Sequence, residues 1–137
     1  MPTYKRWGTA GVCFYCGCIA DSWDHVPPLS LVPSDSMYWE DVAFWLVSAC
    51  RTCNSYLNNF PVVLIGARKL HLLRMYRSKY RKELRMPDWS DEELAALGKT
   101  LRSKVDAGLK TKRLIQAMLG VLERECIEPT LQDYQDR

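Results

Sequence analysis

The chain has 137 residues, is 47% hydrophobic and 26% charged, and carries a net charge of +3, proportions ordinary for one globular domain or a small domain with a helical extension. No apolar run approaches the ~20 residues needed to cross a bilayer, and the opening MPTYKRWG lacks the apolar core of a secretory signal. The expectation is a protein of a reducing, cytoplasmic setting, where paired cysteines serve as metal ligands rather than disulfides.

In chain order, residues 1–12 read as a loose lead-in without periodicity. Cys13 to Gly17 reads as a tight turn, with Gly17 able to take positive φ. Ser22 to Val26 reads as a strand that Pro27 and Pro28 end, and 29–41 as a loop. Ala43 to Ala49 is an aromatic and aliphatic run of strand length. The pattern then turns helical from Arg51 to Asn59, offering Leu57 and Phe60 to a core, and Pro61 stops it. Val62 to Ile65 reads as extended and Gly66 as a hinge. Ala67 to Arg85 reads as one long helix with Leu70, Leu73, Tyr76, Tyr80 and Leu84 on one side. Ser90 and Glu93 form a capping box opening a helix to about Ala107, where Gly108 ends it. A last helix from Lys110 to Cys126 would turn Leu114, Ala117, Met118, Val121 and Leu122 inward, and Pro129 onward reads as a frayed tail.

Charge is unevenly placed. Residues 1–60 and 87–137 each carry −2, whereas 61–86 hold eight basic side chains against Glu83 alone, a block of +7. Arg68, Lys69, Arg74, Arg77, Lys79, Arg81 and Lys82 lie in that block. A polyanion is its natural partner, and a solvated helix face is the alternative.

Six cysteines are present, and four of them, Cys13, Cys16, Cys50 and Cys53, form two C-x-x-C pairs. A two-residue gap lets both sulfurs of a pair reach one ion, and four thiolates complete a closed tetrahedral zinc site with no position for substrate, hence a structural one. Redox-active pairs are the alternative reading. Cys18 and Cys126 are left over and read as buried packing residues.

Between the pairs stand Asp24 and His25, which alternate faces if they lie on a strand. His25 and His71 are the only histidines, and a side chain titrating near neutrality suits general base work. Asn54 and Asn58 are four apart on the helix expected after Cys50, so their amides share a face. Amide and carboxylate oxygens suit Mg²⁺ or Mn²⁺.

The runs DHVPP and LVSACRTCN, together with the first cysteine pair, resemble the HNH endonuclease family in its zinc-knuckle form over residues 13–60. The segment PDWSDEELAALG from Pro87 is similar to the tails of phage-type HNH proteins. The resemblance implies an α+β chain: a small ββα-metal (HNH, His-Me finger) core over 1–60 stapled by a four-cysteine zinc, a basic helix over 61–86, and an α-helical hairpin extension over 87–137. It implies that His25 activates water as general base and that Asp24 and Asn54, with Asn58 as a further ligand, hold a catalytic Mg²⁺ or Mn²⁺. The chain departs from the family at Trp45, where a middle Asn usually helps to hold the base, with Asp41 as a substitute four residues earlier. The expected activity is metal-dependent hydrolysis of DNA phosphodiester bonds in a bacterial or phage-infected cytoplasm. A catalytically inactive zinc module that binds nucleic acid or protein on the same scaffold is the alternative. The C-terminal helices offer a homodimer contact.

Overall fold

The computed structural model describes residues 3–32 and 42–137. Among these, three strands form one sheet: β1 (Lys5–Trp7), β2 (Ser22–Val26) and β3 (Trp45–Ala49), in the order β1-β3-β2. β2 runs antiparallel to β3, pairing Asp24 with Val47 and His25 with Leu46, while β1 runs parallel to β3. The chain is therefore α+β with a small sheet. β2 has the bounds its sequence suggests. β1 replaces the expected loose lead-in, because its pairing partner lies some forty residues on and leaves no local periodicity.

The first cysteine turn precedes β2 and is closed by a bridge between Val12 and Ile19. Gly17 takes φ +81° there, and a Cβ on it would meet Val121 at 3.2 Å. Cys50 caps α1 (Arg51–Leu57), its sulfur accepting from the Cys53 amide. Asn58 is the C-cap rather than a helical residue, so it no longer shares a helix face with Asn54.

The helices that follow differ from the expected plan. α2 (Ile65–Lys79) begins two residues early and contains Gly66 in its first turn, so Gly66 is no hinge. Its expected length to Arg85 is broken at Tyr80 (φ −105°, ψ 24°), after which α3 (Arg81–Leu84) adds one turn. The Ser90 capping box is present, but α4 (Asp91–Ala95) is short. α5 (Lys99–Glu123) then runs straight through Gly108. Gly108 is required for packing rather than termination: a Cβ there would lie 2.4 Å from Met86 Cε. The expected hairpin of two helices is thus one 25-residue helix lying along α2 and α3.

The inward faces are also shifted. Leu72 is buried on α2 while Leu70 is exposed, and Ile115 and Leu119 are buried on α5 while Leu114 is exposed. A final helix, α6 (Leu131–Asp136), replaces the expected frayed tail, opened by a capping box of Thr130 and Asp133. The Lys5 ammonium donates to the Tyr134 carbonyl, the Tyr134 hydroxyl to the Thr3 carbonyl, and the Arg137 guanidinium to the Arg6 carbonyl. α6 therefore covers the free edge of β1, where unpaired backbone groups would otherwise be exposed.

One core joins these parts. Tyr15, Val47, Cys53, Leu57, Leu72, Tyr76 and Leu122 belong to a single buried cluster, so the segment with the two cysteine pairs, the basic segment and the C-terminal helix fold around common contacts.

Candidate metal centre and basic surface

Cys13 and Cys16 sit in the turn before β2, and Cys50 and Cys53 at the junction of β3 with α1. β3 brings the second pair back beside the first, so all four sulfurs lie within 4.8 Å of one another. Cys16 Sγ and Cys50 Sγ are 3.7 Å apart, close to the ~3.8 Å edge of a tetrahedron with ~2.3 Å metal–sulfur bonds. All six cysteines are free thiols. The Cys16 amide donates to Cys13 Sγ at 3.5 Å and the Cys53 amide to Cys50 Sγ at 3.4 Å, backbone donors that suit thiolate charge.

The crowding polarises the four thiols. Hydrogen bonds from Cys16, Cys50 and Cys53 hold Cys13 well below the thiol range, and Cys13 in turn pushes Cys16 and Cys53 upward. Cys50 is raised by Cys13 and lowered by Cys16 and Cys53, with a net value of about 7. Only a cation replacing the shared protons lets all four ionise together. The donor set and spacing fit a structural metal such as zinc, and the site is closed to substrate.

Asp24 is buried rather than open to solvent. Its carboxylate faces the core and only 2% of the residue is exposed. Arg68 Nη2 donates to Oδ1 at 2.9 Å and to Oδ2 at 2.7 Å, Arg68 Nε donates to Oδ2 at 3.2 Å, and the Tyr15 hydroxyl donates to Oδ2 at 2.6 Å. Burial pushes the Asp24 carboxyl above its ordinary value, against the pull of Arg68 and Tyr15. Burial and the Asp24 charge hold the Tyr15 hydroxyl protonated as a donor. Both oxygens are engaged by protein donors, so in this arrangement the carboxylate expected to ligate a divalent ion is turned to Arg68 and Tyr15 instead.

Arg68, expected to contact phosphate, is likewise an internal residue. It is fully buried, and besides Asp24 it donates to the carbonyls of Phe60 and Val62 at 3.0 and 2.8 Å. Lys69 is buried too and donates to the Arg124 carbonyl at 2.9 Å. Neither reaches a phosphate. Arg77 is exposed but ion-paired with Glu123.

His25 follows Asp24 on β2 and points to the opposite face, as strand alternation requires. It is half-buried, with its ring 5.0 Å from that of Tyr4 in an edge contact. Among the described residues it makes no side-chain hydrogen bond. Arg6, Leu46 and His25 share one cross-strand row, and the Arg6 guanidinium lies 5.0 Å over the Trp23 ring. The Asn54 amide donates to the Trp23 carbonyl at 3.4 Å, which sets it against β2, whereas Asn58 is exposed at the end of α1. Trp45 is 4% exposed and packs edge-on against Trp7 and Tyr134. It is a core residue on the far side of β3 from the His25 row and does not orient His25. Asp41 lies outside the described residues. Among these, the four cysteines are the one cluster of three or more His, Cys, Asp or Glu side chains spaced to share an ion.

The rest of the basic block forms a surface. Arg74, Lys79, Arg81, Lys82 and Arg85 are exposed, and among the described residues Arg74, Arg81, Lys82 and Arg85 make no ion pair or side-chain hydrogen bond. An open concavity of about 610 Å³ is lined by Lys79, Arg81, Lys82 and Arg85. Another of about 380 Å³, lined by Tyr56, His71 and Arg74, shares Ser78 and Lys79 with it. The His71 ring stacks on Phe60 at 4.2 Å, and Lys79 lies 5.6 Å over the Tyr56 ring. Arg85, one of the eight basic residues of the 61–86 block, joins this surface beyond the break at Tyr80.

Tyr15 beside Asp24 and Tyr76 beside Cys53 are neighbours that sequence reasoning missed as such. Tyr15 lies inside the first C-x-x-C pair. A signal for Arg68 did exist: Ile65, Leu72 and Tyr76 make an apolar helical stripe that Arg68 and Lys69 interrupt, and charges on such a stripe need buried partners. No helix among the described residues is long and apolar enough to cross a membrane. Comparison with protein-family models, curated proteins and solved structures found no match.

Proposed function

We propose that the chain is a zinc-stapled nucleic-acid-binding module that holds phosphate backbone without hydrolysing it. The observation that carries this reading is the unpaired cationic surface of Arg74, Arg81, Lys82 and Arg85 around two adjoining concavities. Such cations neutralise phosphates and release condensed counterions, giving affinity without sequence readout. The four-cysteine cluster would hold a structural zinc that fixes the sheet, and α2 and α3 would carry the contacts. The buried, Arg68-paired carboxylate of Asp24 argues against turnover on this scaffold. Titration of labelled duplex and single-stranded DNA at rising salt tests the reading: log affinity should fall linearly with log salt. Binding that ignores salt would contradict it.

A second reading, metal-dependent endonuclease, is favoured by one observation. The His25 side chain on β2 makes no hydrogen bond among the described residues, while Asn54 sits against β2 on the helix that follows the antiparallel pair. His25 would accept a proton from attacking water, and Asn54 would offer a hard oxygen to a divalent ion. Such an ion, when bound, would supply charge stabilisation at the scissile phosphate. Asp24 would first have to leave Arg68.

A further inference from the structure

Each of the four cluster sulfurs has a hydrogen-bond donor besides the other cysteine thiols, the Cys18 backbone serving Cys16, and one of these donors differs in kind. Cys13 and Cys50 are served by amides within their own C-x-x-C turns. Cys53 Sγ instead lies 3.1 Å from the Tyr76 hydroxyl, contributed by α2 from twenty-three residues away. Tyr76 is 1% exposed, and this sulfur is its sole side-chain hydrogen-bond partner among the described residues. A phenol O–H is a far better donor than a thiol, and a metal-bound thiolate is a strong acceptor. The ring is held in place: Tyr56 meets it edge-on at 5.3 Å and Tyr80 stacks at 6.4 Å.

We propose that Tyr76 is a positioning residue of the metal centre, donating to the Cys53 sulfur and fastening α2 to the two cysteine turns. Four thiolates around a dication carry a net charge of −2, so each donor to sulfur stabilises the loaded state. Tyr76 differs from the amide donors in coming from the helix that leads into the basic surface. Metal occupancy and the placement of α2 are thereby linked through one hydroxyl. This rests on the cysteine cluster holding a metal.

The test is cobalt(II) reconstitution of the whole chain, read by its thiolate-to-cobalt absorption and by competition with a chromophoric chelator. Tyr76→Phe removes only the oxygen. It should shift the charge-transfer band and weaken metal retention about tenfold, the lower end of what losing such a partner costs, with unchanged far-ultraviolet circular dichroism. Tyr56→Phe alters a neighbour that touches no sulfur and should match the wild type. A Tyr76→Phe protein with wild-type spectrum and retention would overturn the inference, as would equal losses in the two variants. Wild-type protein that takes up no cobalt would overturn the metal reading beneath it, a result separable from the other two.

Discussion

Asp24 and Arg68 form a bidentate ion pair in the core, with 0% of the Arg68 side chain and 3% of the Asp24 side chain exposed. The pair joins the β2 strand to α2 and engages both oxygens of the Asp24 carboxylate. Breaking such a pair from one side leaves an uncompensated charge in a low-dielectric interior, whereas replacing both partners with apolar groups of similar volume is far better tolerated. Arg68→Met should cost about 3–5 kcal/mol in urea unfolding. Asp24→Leu combined with Arg68→Met should recover much of that loss. A single variant with near wild-type stability would show that the pair contributes little.

Metal removal should loosen the fold rather than an active site. Strands of three and five residues cannot hold a sheet unaided, and binding energy at four thiolates is folding energy. One zinc per chain is expected by elemental analysis. Chelation should abolish the near-ultraviolet signal of Tyr15, Trp45 and Tyr76, which share the buried core with the cluster, while α5 retains helicity.

The basic surface separates from the buried cations. Neutralising Arg81, Lys82 and Arg85 together should weaken DNA binding and lower the salt slope by about one unit per lost phosphate contact. Lys69→Met should leave the slope unchanged, because that ammonium is occupied by the Arg124 carbonyl. Fluorescence anisotropy across a salt series reads both.

The α6 cap is pH-sensitive in a definite direction. Hydrogen bonds from the Thr130 amide and hydroxyl hold Asp133 below the ordinary carboxylate value. A depressed acid contributes stability that is complete above its unfolded value of about 4 and lost as pH falls through the lowered folded value. α6 should therefore loosen from β1 only in acid, and Thr130→Ala should move that loosening to higher pH. The Tyr134 ring resonances report it.

Legibility follows locality. The cysteine turns, β2, α1 and the Ser90 cap are readable because their determinants lie within a few residues: ligand spacing, alternation, proline stops and S-x-x-E. β1 is not, since its three residues are fixed by β3 and α6. The register of α5 slips because Leu114 and Ile115 are adjacent apolar residues and only packing against α2 and α3 chooses Ile115. Gly108 misleads because a glycine that ends a helix and one that admits a Met86 side chain look alike in sequence. For the candidate site, the cysteine cluster is legible in full. The fate of Asp24 is not, because a carboxylate before a histidine carries no mark of the arginine forty-four residues away.

Incubation of the protein with duplex, single-stranded and branched DNA in Mg²⁺, Mn²⁺ or EDTA, resolved on denaturing gels beside His25→Ala, tests most directly whether this module binds without cutting. Intact strands are expected in every metal, with salt-sensitive binding that His25→Ala leaves unchanged. Metal-dependent cleavage that EDTA stops and His25→Ala abolishes would contradict binding without cutting and restore the hydrolytic reading.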